Sequence, residues 1–353
     1  LTTPHASPRP APPAAPGLLR DALPKALERR RALLGRGTTQ AFRVFSGPAD
    51  GIDGVFIDVY GPGAVLIVYD DKAPRALEPG LEAAAALRIL QPLGVRAVYL
   101  KPFSKDRSSL GGVLPPTATD PLPLAGEPLP KSILIREHDW LLEVRLYDGL
   151  STGLFLDQRE NRAFVADWIA ALAAKRRARN APAPAVLNTF AYTCAFSVAA
   201  AKAGAITTSV DVSARYLEWG ERNFSHNSLD PAPHRFARMD TFDFLGYARK
   251  KALTYDLIIL DPPSFATGSK KKGIRPWSSI ADYARLVAES ARLLNPQGVI
   301  LACTNTQELC RPGRLEREIS KGVGRPPKWI TLPPPPTDFA HERGRFAARA
   351  FTA

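Results

Sequence analysis

LNTFAYTCAFS, residues 187–197, decides the fold. An apolar run of strand length breaks into a polar loop, and the small-residue helical pattern AFSVAAAKAG (195–204) starts at once. The same passage recurs. TTSVDVS (207–213) leads into ARYLEWGERNFSHN (214–227), RFARM (235–239) into FDFLGYARKKA (242–252), and YDLIILD (255–261) is followed by SIADYARLVAESARLL (279–294). GVILACTN (298–305) is the fifth such run. Strand-length runs alternating with helical spacing predict an α/β fold, a parallel sheet covered by helices on both faces. Ligands of such sheets bind beyond the carboxyl ends of the strands.

Upstream the pattern differs. FRVFSG (42–47), GVFIDVYG (54–61) and AVLIVYD (64–70) are β-rich runs separated by turn residues, APRALEPGLEAAAALRIL (73–90) reads as a helix, and AVYLKPF (97–103) as another strand. They predict a small α+β domain over residues 41–128. A proline-rich stretch (111–130) follows, and ILIREHDWLLEVRLYDG (133–149) alternates as a hairpin does, opening a second domain over 129–353. Residues 1–40 are rich in Pro, Ala and Arg and read as a disordered leader whose second part forms a short basic helix. An Arg-rich, acid-poor leader is also what an organelle transit peptide looks like.

The chain of 353 residues has no apolar run approaching the roughly 20 residues a membrane helix needs. Its three cysteines, Cys194, Cys303 and Cys310, make neither a disulfide framework nor a metal-site spacing, so a reducing cytoplasmic setting without a metal is expected. The net charge of +13 biases partners toward polyanions, RNA first.

The first strand end carries no glycine, which weighs against a dinucleotide fingerprint. Acids nevertheless follow the next two strands. Asp211 is placed to accept from ribose hydroxyls and Asp240 from an adenine amine, although an Asp after a strand is often a helix N-cap. Such a series suits a nucleoside cofactor without a pyrophosphate, and S-adenosyl-L-methionine is one.

With these residues in view, the chain resembles the S-adenosylmethionine-dependent RNA methyltransferases that modify large-subunit ribosomal RNA. The likeness rests on FRVFSGPADGIDGVFIDVYG, STGLFLDQRENR, LNTFAYTCAFSVAAA, SVDVS, LDPPSFA and RFAARAFTA, and covers residues 41–353. It implies a Rossmann-like seven-stranded methyltransferase sheet preceded by the small α+β domain, which would bind RNA by shape and charge. Where many relatives have two glycines, this chain has Cys194 and Ala195. By resemblance the cofactor is held by Gln158, Arg159, Asn188, Thr189, Phe190, Tyr192, Thr193, Asp211, Val212, Asp240, Thr241 and Asp261, with Arg159 pairing with the methionine carboxylate. Relatives often carry a further small RNA-binding domain at the N-terminus.

Asp261, Pro262, Pro263 and Phe265 follow the fourth strand. Asp261 is expected to face the transferring methyl, the prolines to lock the turn and leave carbonyls free to accept, and Phe265 to stack on an extruded base. Lys270, Lys271, Lys272 and Arg275 form a basic loop suited to phosphates. Methylating carbon 5 of cytosine requires a thiolate nucleophile. In relatives that make 5-methylcytosine it stands in the turn after the fifth strand, where this chain has Asn305. Cys303, two residues earlier, reads as core. A branch of the family that methylates nitrogen 7 of guanine also has asparagine there, and a nitrogen lone pair needs no covalent activation.

The expected activity is therefore methylation of a base in large-subunit ribosomal RNA, with a guanine nitrogen preferred. The alternatives are cytosine-5 methylation through a cysteine, a non-catalytic RNA-binding protein, or a methyltransferase with a protein or small-molecule acceptor.

Overall fold

The computed structural model describes residues 18–103, 114–266, 268, 275–339 and 344–353. Two helices open it, α1 (Leu18–Arg29) and α2 (Arg31–Arg36). Strands β1 (Ala41–Ser46), β2 (Val55–Tyr60) and β3 (Gly63–Tyr69) follow, then helix α3 (Pro79–Leu90) and strands β4 (Ala97–Phe103) and β5 (Ala125–Gly126). These strands form one sheet in the order β1-β2-β3-β4-β5, with β4 parallel to β3 because α3 carries the chain back between them. The tight β2–β3 turn has Gly61 in the left-handed region at φ +56°.

The helix expected in the second part of the leader is present as α1 and α2, but it is no separate arm: its apolar face packs into the small domain. Leu19, Leu23 and Ala26 recur at helical spacing and are completely buried, packed with Ala83, Ala86 and Leu90 of α3 and with the sheet. The first amides of α1, those of Leu18 and Leu19, both donate at 2.8 Å to the buried Glu82 carboxylate, which satisfies the helix start and complements its dipole. At the other end Arg30 pairs with buried Asp50 at 2.7 Å. Residues 1–17 lie outside the described residues.

A hairpin of β6 (Ile133–Glu137) and β7 (Trp140–Val144) leads to helix α4 (Arg159–Arg177). The second sheet then builds up as read: β8 (Ala185–Thr189), α5 (Ala195–Lys202), β9 (Ile206–Asp211), α6 (Ala214–His226), β10 (Arg235–Arg238), α7 (Thr241–Lys250) and β11 (Tyr255–Leu260). A two-residue pair, β12 (Phe265–Ala266) with β13 (Trp277–Ser278), precedes α8 (Ser279–Ala291), β14 (Leu294–Thr304), α9 (Arg314–Val323), β15 (Lys328–Ile330) and β16 (Ala347–Thr352). The sheet has seven strands in the order β10-β9-β8-β11-β14-β16-β15. The first five are parallel, and β16 is antiparallel to both neighbours.

Strand β11 shows why its sequence is apolar throughout. Leu257 and Ile259 face a core with Val165 and Ile169 of α4 and Phe196 of α5, while Ile258 and Leu260 face Phe244 of α7 and Leu286 and Val287 of α8. Both faces are covered. Cys303 lies in the first of these cores and is fully buried.

Candidate active site

A cleft of about 590 Å³ opens beyond the carboxyl ends of the parallel strands. Phe190 and Tyr192 reach it after β8, Asp211 and Val212 at the end of β9, Asp240 and Thr241 after β10, Asp261, Pro262, Pro263 and Phe265 after β11, and Asn305 after β14. Gln158 and Arg275 also line it. Asn188 and Thr193 border a side pocket of about 50 Å³ that shares Phe190, Tyr192 and Asp261 with the main cleft. Thr189 is different. Its side chain is buried and donates to the Ile259 carbonyl at 2.8 Å, so it ties β8 to β11 and does not line either cavity.

The loop after β8 bends sharply without glycine. Phe190, Tyr192 and Cys194 all take left-handed conformations, with φ of 53°, 50° and 62°. Non-glycine residues resist this by roughly 1–2 kcal/mol each, so neighbours must impose it. The Tyr192 amide donates to Asp211 Oδ2 at 2.9 Å, and the Thr193 hydroxyl to the Gly153 carbonyl at 2.6 Å. Buried Asn223 of α6 donates to the Thr193 carbonyl at 2.9 Å. Cys194, buried, packs its thiol against Gly220 of α6. Asn188 meanwhile donates to Ser197 Oγ at 2.9 Å.

The two acids differ. Asp211 accepts from the Ser213 amide on Oδ1 and the Tyr192 amide on Oδ2, both at 2.9 Å. Burial raises its pKa against the pull of those amides. Asp240 is the N-cap of α7, accepting from the Phe242 amide at 2.9 Å on Oδ1. Both border the cleft, so capping and lining coexist at Asp240.

At the end of β11 the Gln158 amide donates to Asp261 Oδ2 at 2.9 Å. Burial, reinforced by the Asp157 carboxylate, pushes the Asp261 pKa up to about 7, with the Gln158 hydrogen bond and the Arg162 charge pulling the other way. The turn after it is held by side chains. The Pro263 carbonyl accepts from Trp277 Nε1 at 2.7 Å and from Ser279 Oγ at 2.9 Å, so it is engaged rather than free. Ser264 Oγ donates to Asn305 Oδ1 at 2.8 Å, which ties the turn after β11 to the turn after β14. Phe265 is 75% exposed at the rim.

Arg159 is a second correction. Its buried guanidinium is paired with buried Asp338 and donates to the Ala41 carbonyl, away from the cleft. A terminal arginine of α4 meets these partners only after the chain has closed on itself. Arg162 likewise forms a buried bidentate pair with Glu137 at 2.6 and 2.8 Å. Arg275 pairs with Asp243 at 2.9 Å. Lys270, Lys271 and Lys272 lie outside the described residues.

Sequence reasoning passed over Tyr216 and Trp277, both in the cleft wall. Tyr216 stands edge-on to Tyr192 at 4.5 Å between centroids, and Trp277 sits 5.7 Å from the Phe190 ring. The sign for Tyr216 was an aromatic residue in the first turn of the helix after Asp211. Among the described residues no group of three or more His, Cys, Asp or Glu is placed to hold a metal, and no helix is long and apolar enough to cross a membrane.

Residues 114–323 match the model of the S-adenosylmethionine-dependent methyltransferase family. The chain belongs to that family. The Bacillus subtilis (strain 168) protein YwbD, provisionally named a ribosomal RNA large subunit methyltransferase, is 39% identical over 285 residues, 80% of this chain and 65% of that protein. The Hahella chejuensis ribosomal RNA large subunit methyltransferase K/L is 36% identical over 257 residues, 71% of this chain and 32% of that protein. The methyltransferase chain thus spans under two thirds of these curated relatives. A solved structure provisionally described as a methyltransferase, complexed with SAH, superposes with a TM-score of 0.78 at 31% identity, covering 95% of this chain and 81% of that one.

The donor set of the cleft fits the family's cofactor. Carboxylates stand at two successive strand ends, Asp211 and Asp240, where they could accept from hydroxyl and amine groups of a nucleoside, and Phe190, Val212 and Tyr216 supply apolar walls.

Proposed function

We propose that this chain is an RNA methyltransferase acting on a base of large-subunit ribosomal RNA, with a guanine ring nitrogen as acceptor. One observation carries the choice of nitrogen: the strand ends present Asp261 and Asn305 but no thiol. Cys303 is sealed in the core, its thiol pushed well above its ordinary pKa by burial and by Asp261. Cys310 lines no part of the cleft; its Sγ lies 3.5 Å from the Thr304 carbonyl, and burial pushes its pKa up to about 11. Cys194 is buried behind the cofactor loop. Cytosine carbon 5 needs a thiolate, whereas a guanine nitrogen brings its own lone pair.

In this reading Asp211 holds the ribose hydroxyls of S-adenosylmethionine, and Asp240 with Thr241 holds the adenine. The Phe190–Tyr192 loop lies alongside. The cofactor, when bound, supplies an electrophilic methyl group on its sulfonium. The chain's own residues orient the acceptor. Asp261, held by Gln158, takes the N–H edge of guanine, and the Asn305 amide donates a further hydrogen bond. Phe265, exposed at the rim, stacks on the extruded base.

The names of the relatives and the net charge of +13 support RNA as acceptor. The three cysteines are free, which fits a reducing cytoplasmic setting.

The test is transfer from tritiated S-adenosylmethionine to ribosomal RNA lacking this modification, followed by nucleoside analysis. Label in 7-methylguanosine is expected. Label in 5-methylcytidine would return a cysteine to the mechanism and overturn the nitrogen reading.

A further inference from the structure

A second cleft, of about 510 Å³, lies where the small domain faces the methyltransferase domain. It meets the first cleft at Asp157 and Asn305, which line both. Its construction follows from strand alternation. One face of the small sheet is filled by α1 and α3. The other face carries Phe56 and Asp58 on β2, Ile67 and Tyr69 on β3, and Lys101 and Phe103 on β4, with Ile67 directly opposite Lys101 in register.

Lys101 is the unusual member. Its side chain is 99% buried in effect, being 1% exposed, and its Nζ has no hydrogen-bond partner among the described residues. Burial lowers its pKa to about 7, against the attraction of Asp148 and Asp58. A buried amine without an acceptor is costly, and a ligand that supplies one removes that cost. Around it stand flat rings. Tyr69 stacks on Phe103 at 5.1 Å between centroids and 25° between planes, and Phe56 meets Tyr69 edge-on at 5.7 Å. At the rim, exposed Lys72 and Arg345 lie over Tyr69 and Phe56, at 5.8 and 5.1 Å from the ring centroids.

Aromatic walls with a buried donor at the base and exposed cations at the mouth suit one ligand chemistry, a nucleotide. The ring goes inward to stack, a ring carbonyl accepts from the amine, and the phosphate stays at the wet edge. We infer that this second cleft is a base-recognition subsite for the RNA nucleotide beside the methylated one, with Lys101 donating to a ring carbonyl oxygen, guanine O6 first. The subsite rests on the reading of RNA as acceptor. Lysine pairs well with guanine, which offers O6 and N7, whereas adenine presents an amine where guanine has O6. The small domain thereby gains a reading function in addition to shape and charge.

The experiment is competition by GMP, AMP or ribose 5-phosphate against a fluorescein-labelled single-stranded RNA dodecamer, followed by anisotropy. Saturating S-adenosylhomocysteine keeps the cofactor cleft from the probes, and its own binding is measured by calorimetry. GMP is expected to compete at least tenfold better than AMP, and ribose 5-phosphate hardly at all. Lys101→Met is expected to reduce the preference for GMP severalfold, leaving at most the part owed to the acceptor site at Asp261 and Asn305, while S-adenosylhomocysteine binding is kept. Phe103→Ala, which leaves Lys101 in place, is expected to weaken GMP and AMP together. Dodecamer binding with equal competition by GMP and AMP, or a preference as large in Lys101→Met as in the wild type, overturns the subsite but not the RNA acceptor. No dodecamer binding by the wild type overturns both. Loss of S-adenosylhomocysteine binding in the wild type counts instead against the cofactor reading.

Discussion

Asp261 has an ionisation set by its surroundings rather than by its own chemistry. In the folded chain its pKa is raised from 3.8 to about 7 by burial and by Asp157. Between those values the folded state keeps a proton that the unfolded chain releases. The stability attached to this group is therefore full below pH 3.8 and is lost as pH rises through about 7. Asp261→Asn cannot ionise and escapes that loss. Its melting temperature relative to the wild type is expected to be higher at pH 8 than at pH 5, by thermal denaturation at both. An offset that does not change with pH would show that Asp261 is not held protonated in the fold.

At the scale of the element, the loop after β8 and helix α6 act as one unit. Three left-handed non-glycine residues stand in a row of five, and α6 packs against the last of them, with Gly220 against the Cys194 side chain. A methyl added at Gly220 would lie 2.8 Å from Cys194 Cβ. Gly220→Ala is expected to destabilise the protein by about 1–3 kcal/mol through overpacking, read by urea denaturation, and to weaken S-adenosylhomocysteine binding. Cys194→Gly makes room and relaxes the strained φ, so the double variant is expected to recover most of the loss. Independent, additive effects would refute the coupling.

This element also marks what was legible in the sequence. Strand β11 and the GVILAC half of β14 were plain because burial on both faces leaves an apolar run, and β8 and β9 because they repeat the same alternation with helices. The acids Asp211 and Asp240 were plain because one ends β9 and the other stands between β10 and α7. The missing glycines read only as a departure from relatives, since nothing local in AYTC shows that Asp211, Asn223 and Gly153 hold the turn from elsewhere. For the same reason helix α1 was legible as a helix but not as part of the core. Its cap, Glu82, is 63 residues from Leu19. Arg159 was assigned to the cofactor because its partner Asp338 is 179 residues away.

At the scale of the whole molecule, that Arg159–Asp338 pair joins three parts of the chain. Arg159 begins α4 of the methyltransferase domain and donates to the Ala41 carbonyl of β1, while Asp338 belongs to the segment between β15 and β16 and also accepts from the Arg43 amide at 2.9 Å. The pair sits one residue from Gln158, whose amide holds Asp261. Asp338→Ala would take from a buried guanidinium its paired carboxylate, leaving the Ala41 carbonyl, the partly exposed Glu160 3.5 Å away and the more distant charge of Glu137, itself engaged by Arg162. Stranding one member of a buried ion pair costs about 3–5 kcal/mol. The same change frees the first turn of α4, so Gln158 is expected to lose its hold on Asp261 and catalysis to fall along with stability. Replacing both residues, as in Arg159→Met with Asp338→Leu, removes the stranded charge and is expected to restore most of the stability. It does not restore the tie to Ala41. If that tie positions the small domain over the active site, the double variant will unfold near the wild-type urea midpoint yet bind single-stranded RNA more weakly. A double variant normal in both measurements would reduce the pair to a replaceable piece of core.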